Sequence, residues 1–202
     1  GGDREPYGSD TEWYNGGTVT INNSIFGNNI ATFGGAAFWH GNEAQISVTK
    51  SVINNNIAEH GGGLFWASGA PLISECTIVG NEARIRVLSD DITNHYGDYE
   101  WPYGGGAGIF SWNSDAIIEN SLIKNNQSAG SGGGIYFGGY TDTPAIKNCL
   151  IKGNSAILDG GGIISYWFSN LTISNCTIVE NRAFDPNNST THGRGGGLSC
   201  AV

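Results

Sequence analysis

The chain of 202 residues contains no methionine, only five prolines and a charged fraction of 13%, with 9 basic side chains against 18 acidic ones. Each scarcity excludes something. A formal net charge of -9 leaves no basic patch to displace counterions from a phosphate backbone, so nucleic acid is not an expected partner. No run of 18 or more apolar residues occurs, which argues against a helical membrane span, and no charged-then-apolar leader opens the chain. The first residue is Gly1, and with methionine absent throughout, the initiator is expected to have been lost by processing or by excision from something longer. The four cysteines have neither short paired spacing nor histidines at ligand intervals, so a zinc site is not expected. So few charges also argue against a disordered polyanion.

What is abundant is glycine, 33 residues, and asparagine, 22 residues, both poor helix formers. An all-β protein follows, and an internal repeat makes it specific. Six segments share the order apolar, two variable, Ser or Cys, one variable, apolar, two variable, Asn, one variable, small. The first apolar column is Ile21, Val48, Ile73, Ile118, Ile146 and Ile173, and the second is Phe26, Ile53, Ile78, Ile123, Ile151 and Ile178. Between them stand Ser24, Ser51, Cys76, Ser121, Cys149 and Cys176. The Asn column is Asn29, Asn56, Asn81, Asn126, Asn154 and Asn181, and a glycine cluster and an apolar residue follow each time. Successive asparagines lie 27, 25, 45, 28 and 27 residues apart, so the unit is 25 to 28 residues with one long insertion at 84–103.

A unit this short cannot house a βαβ crossover, and its few β-branched positions cannot bury a face alone. Stacked coils solve both problems. Like residues then lie one above another at roughly 4.8 Å, giving a rod on the order of 29 Å long with ladders of Ile and Val inside. Asn carries both a donor and an acceptor and can bond the coils above and below it, so its column is predicted to form a structural ladder. The chain is thus predicted to be a parallel β-helix of about six coils over 18–202, preceded by an N-terminal arm at 1–17.

The string Phe26-Gly27-Asn28-Asn29 followed by Gly34-Gly35-Ala36 resembles the paired FxxN and GGA motifs of polymorphic membrane protein repeats. More broadly, the six units are similar to right-handed parallel β-helix proteins of pectin-lyase-like fold. The resemblance implies that fold, a right-handed coil, and an extracellular or cell-surface location. Such repeats occur in adhesins, surface proteins and polysaccharide lyases, so the fold alone does not fix the activity.

Candidate sites come from outward columns and loops. Phe38, Phe65, Phe110 and Tyr136 follow the inward apolar site, and strand alternation turns them outward, where they would stack on glycan rings or on a neighbouring rod. Alternatively Trp39, Trp66, Trp112, Trp167 and the loops after them fold over the stripe and bury it. The insertion carries Asp90, Asp91, Asp98 and Glu100 among aromatics, the one place where Ca²⁺ beside a sugar is a candidate, although their spacing matches no named calcium loop. No other cofactor is called for. No pair of carboxylates suited to glycoside hydrolysis falls on adjacent coils, so the residues assign no catalytic group, and a polysaccharide lyase or binding module stays an alternative. The cysteines are expected as buried thiols without disulfides, Cys200 among them. Of the N-x-Ser/Thr sequons at Asn22, Asn126, Asn170, Asn175, Asn187 and Asn188, several are expected to face neighbouring coils and only Asn187 and Asn188 to be exposed enough to modify.

The sixth coil breaks off at Leu198 with no capping segment, and joining it to the start of a second copy would complete a coil. The chain is therefore expected to be either an excerpt of a longer β-helix or a subunit that stacks end to end into filaments, with Trp13, Tyr14 and Leu198 at the joint.

Overall fold

Short runs of β-branched residues bounded by Asn and Gly are the pattern of brief strands separated by tight bends. The computed structural model describes residues 17–41, 45–84, 105–140, 142–167, 169–184 and 193–201, and these residues show that pattern in every unit. Four sheets run along the molecule. The first stacks Thr18–Asn22, Gln45–Thr49, Leu72–Ser74, Ile117–Glu119, Ala145–Lys147 and Thr172–Ser174. The second stacks Ile25–Gly27, Val52–Asn54, Thr77–Val79, Leu122–Lys124, Leu150–Lys152 and Thr177–Val179. The third is narrow and five strands deep, from Ile57–Ala58 to Arg182–Ala183, with Ile30 bridging to Ile57 in the first coil. The fourth contains Ala37–His40, Leu64–Ala67, Ile109–Trp112, Ile135–Gly139, Ile163–Trp167 and Leu198–Ala201.

Pairing among the described strands is parallel and in register with the sequence columns. Val48 lies opposite Ile73, Ile118 opposite Ile146, and Ile123 opposite both Ile78 and Ile151. These side chains point into one continuous core in which Val48, Ile53, Ile73, Ile78, Ile118, Ile123, Ile146 and Ile151 are fully buried. Each contributes about 1.5–3 kcal/mol by leaving water. The coil spanning Leu72 to Trp112 holds the long insertion, which leaves between the third and fourth sheets and returns without disturbing the register of Ile109 with Leu64 and Ile135.

The bends explain the asparagine count further than the sequence columns do. Three positions in every coil have positive φ, one a glycine ahead of the fourth sheet (Gly34, Gly61, Gly106, Gly132, Gly160 and Gly195) and two at the earlier bends. At the bend from the first to the second sheet they are Asn23, Lys50, Glu75, Asn120, Asn148 and Asn175; at the next bend they are Asn28, Asn55, Gly80, Asn125, Gly153 and Glu180. Asn and Gly visit this region at least cost, so much of the Asn content is bend chemistry outside the ladder. The glycine cluster has two separate causes. Gly132 has φ +70°, and a Cβ on Gly134 would stand 2.5 Å from the Gly162 carbonyl oxygen of the next coil. The first needs a left-handed backbone, the second an unobstructed one.

Candidate functional site

The Asn column forms the predicted ladder, and every described rung runs in one direction. The Oδ1 of Asn126 accepts from the backbone N–H and the Nδ2 of Asn81, both at 2.9 Å, and Asn126 gives the same two bonds to Asn154 at 3.0 and 2.9 Å. The second Nδ2 hydrogen of Asn126 reaches back to the Ile78 carbonyl of the preceding coil at 3.1 Å. The pattern repeats from Asn29 through Asn56, Asn81 and Asn154 to Asn181. Asn56, Asn81, Asn126 and Asn154 are wholly buried and their amides are paired, which is the condition for burying a polar group without large cost.

The Ser/Cys column carries a parallel ladder that spacing did not reveal. Ser24 N–H donates to Ser51 Oγ at 3.1 Å and Cys76 N–H to Ser121 Oγ at 3.0 Å, while each hydroxyl or thiol turns back onto a carbonyl two residues earlier. The column therefore needs a small side chain that also accepts. Cys76 and Cys149 are buried and Cys176 half-buried, all free thiols as expected; burial pushes the Cys149 thiol up to about 11, and that of Cys76 upward as well. Cys200 corrects the expectation, because it is exposed. Its column of Trp39, Trp66, Ser111, Phe137 and Ser165 belongs inside, but Cys200 is in the sixth row and no row lies over it among the described residues.

The outward aromatic column stacks along the rod. Ring centroids are 5.1 Å apart for Phe38 and Phe65, 4.8 Å for Phe65 and Phe110, and 4.6 Å for Phe110 and Tyr136, with planes nearly parallel. These spacings follow from the separation of parallel strands. Phe65, Phe110 and Tyr136 are buried in a second apolar cluster, so only Phe38, 49% exposed, offers a face to a glycan or a neighbouring rod. The alternative account, that tryptophans cover the stripe, holds for half of them. Trp112 and Trp167 pack in the outer cluster, whereas Trp39 and Trp66 sit two residues after an inward site and point into the core. There the Trp66 indole N–H donates to Ser111 Oγ at 2.7 Å.

Two buried ionisable groups flank this cluster. His60 stacks on Phe33 at 5.4 Å and meets the Phe110 edge at 5.8 Å; burial lowers its pKa to about 4, so the ring is neutral. Asp142 is 5% exposed, and burial raises its pKa, with the Ser114 amide and the Ser169 hydroxyl near enough to oppose that shift but outside hydrogen-bonding geometry. His40 is exposed, whereas His60 is buried. No group of three or more His, Cys, Asp or Glu is placed to hold a metal among the described residues.

Among the sequon asparagines Asn126 is buried, but Asn22, Asn170 and Asn175 are exposed, correcting the expectation that only Asn187 and Asn188 would be. Asn175 occupies one of the left-handed bends, which direct the side chain outward. Several expected sites lie outside the described residues: Trp13 and Tyr14 in the arm, Asp90, Asp91, Asp98 and Glu100 in the insertion, and Asn187 and Asn188.

At both ends the columns lose their cover. Ile21 and Phe26 in the first coil and Ile173 and Ile178 in the last are only partly buried, and Leu198 is 40% exposed. At the last coil a cleft of about 160 Å³ opens between Trp167, Leu171, Ile173, Leu198 and Cys200.

Parallel strands stacked in register through six rows, with polar ladders at the bends, define a parallel β-solenoid. Residues 7–199 match the right-handed β-helix region family, and the chain belongs to it. No curated protein and no solved structure matches the chain.

Proposed function

We propose that this β-helix is an extracellular or cell-surface protein of structural or adhesive function, and that its copies join end to end into a rod. The observation that carries this function is the contrast between inner and outer rows: the same columns that are wholly buried in the four inner coils stand half-open in the first and last. A solenoid interior left open exposes both apolar columns and unpaired strand edges, and a further coil satisfies both at once. The resemblance of Phe26-Gly27-Asn28-Asn29 and Gly34-Gly35-Ala36 to surface-protein repeats supports the location. A binding or lyase function on polysaccharide is less well supported, because the aromatic column suited to it is buried from Phe65 to Tyr136.

Sedimentation velocity over a hundredfold range of concentration, with negative-stain microscopy of the same samples, tests the assembly. Rods one coil-stack wide that lengthen with concentration are expected. A species that remains monomeric over the whole range removes end-to-end assembly.

A further inference from the structure

Both polar ladders have a direction, and each therefore ends in two unlike faces. Throughout the Asn column the N–H and Nδ2 of one coil point toward the Oδ1 of the next. At the last coil, Asn181 receives both bonds from Asn154 and returns one to the Ile151 carbonyl, leaving its own N–H and its other Nδ2 hydrogen aimed at a coil beyond. The Ile178 carbonyl, which corresponds to the Ile78 carbonyl used by Asn126, is likewise ready to accept. At the first coil the complement is presented: Asn29 spends its N–H and one Nδ2 hydrogen on Asn56, and its Oδ1 and second hydrogen face outward along the axis. The Ser/Cys column has the same sense, since Ser24 gives its N–H to Ser51 and offers an Oγ at the first face, while Cys176 ends the column with an N–H at the last.

We infer that the joint between copies is strictly head to tail and is specified by these ladder ends: Asn181 N–H and Nδ2 donate to Asn29 Oδ1 of a second copy, whose Nδ2 donates to the Ile178 carbonyl. This rests on the end-to-end assembly proposed above and adds its orientation and contact residues. Two first faces brought together could at most exchange Nδ2–Oδ1 bonds between their Asn29 amides, with no backbone N–H for the Oδ1 that every inner rung receives, and two last faces would set the N–H and Nδ2 donors of one Asn181 against those of the other, so neither joint reproduces the ladder. The apolar columns continue across the head-to-tail joint in the same register, with Ile173 meeting Ile21 and Ile178 meeting Phe26. A ladder bond that recurs in every coil is thus also the key that selects the partner face.

Cross-linking at the bends tests it. Asn28 and Glu180 occupy the same left-handed column, both exposed, in the first and last coils. Across a head-to-tail joint their Cα atoms would be about 4.8 Å apart, within the disulfide range of roughly 4.4–6.8 Å. In a Cys176→Ser, Cys200→Ser background, the double variant Asn28→Cys with Glu180→Cys is expected to oxidise into a ladder of covalent multimers, and each single variant to stay monomeric on a non-reducing gel. Asn29→Ala should retain the wild-type β-sheet circular dichroism and raise the concentration needed for assembly by about tenfold, the effect of losing one to two net hydrogen bonds. Covalent dimers from either single variant, or assembly unaffected by Asn29→Ala, would overturn the orientation rule while leaving end-to-end assembly in place. Absence of assembly in the wild type would instead remove the function on which the rule rests.

Discussion

His60 shows how much of a residue's behaviour is set by its neighbours in adjacent coils. In sequence it is an isolated histidine; in the fold it stands between Phe33 and Phe110 with Nδ1 unpaired. Its pKa is about 4 inside the fold against 6.5 in an open chain. Between those values the unfolded chain binds the proton and the folded one does not, so stability rises with pH across the window and falls away as pH drops from 6.5 toward 4. The full difference is about 3 kcal/mol. His60→Phe, which keeps an aromatic ring in the stack, is expected to flatten the pH dependence of urea unfolding between pH 4 and 6.5. An unchanged slope would show that His60 is not the group responsible. The Asn ladder was legible at this same scale, because a residue recurring once per coil at a bend needs partners above and below. The left-handed asparagines were not, since Asn28 and Asn29 are adjacent and identical in type and only the backbone separates their roles.

Among the elements, the fourth sheet depends most on distant chain. Its strand Leu198–Ala201 pairs with Ile163–Trp167 and has no second neighbour among the described residues. What anchors its approach is Asp159, whose buried carboxylate accepts from the Arg194 backbone N–H at 2.9 Å and from the Arg194 guanidinium at 3.0 and 3.4 Å. The pair holds the entry to the last strand against the coil before it. Removing the carboxylate with Asp159→Ala is expected to accelerate amide exchange in Leu198–Ala201 by tenfold or more, leaving Ile109–Trp112 unchanged. Equal rates in the two proteins would show that strand pairing alone secures the edge. Strand positions were readable in the sequence from the Ile columns, whereas the Asp159 contact was not, because it joins residues 35 apart across the glycine cluster.

Over the whole molecule, contacts run between neighbouring coils, so stability is expected to fall from the middle toward both ends. In dilute monomer, amides of Ile117–Glu119 and Leu122–Lys124 should exchange slowest, and those of Thr18–Asn22 and Thr172–Ser174 fastest. Uniform protection in the monomer would mean that the coils unfold as one cooperative unit. The outer aromatic stripe belongs to this scale too. Alternation was enough to turn Phe65, Phe110 and Tyr136 away from the core, but it could not say whether they would meet solvent.

The sequence by itself determined the coil: its length, its inward columns and its ladder of asparagines. Each is a local rule repeated six times, and repetition lifts a weak propensity into a pattern. Tertiary structure alone decided which side chains are covered. Trp66 enters the core and Trp112 does not, Cys200 is inward yet exposed, and Asn175 faces solvent while Asn126 is sealed in the ladder. Burial depends on what lies in the next row or across the surface, and neither is encoded at the residue itself.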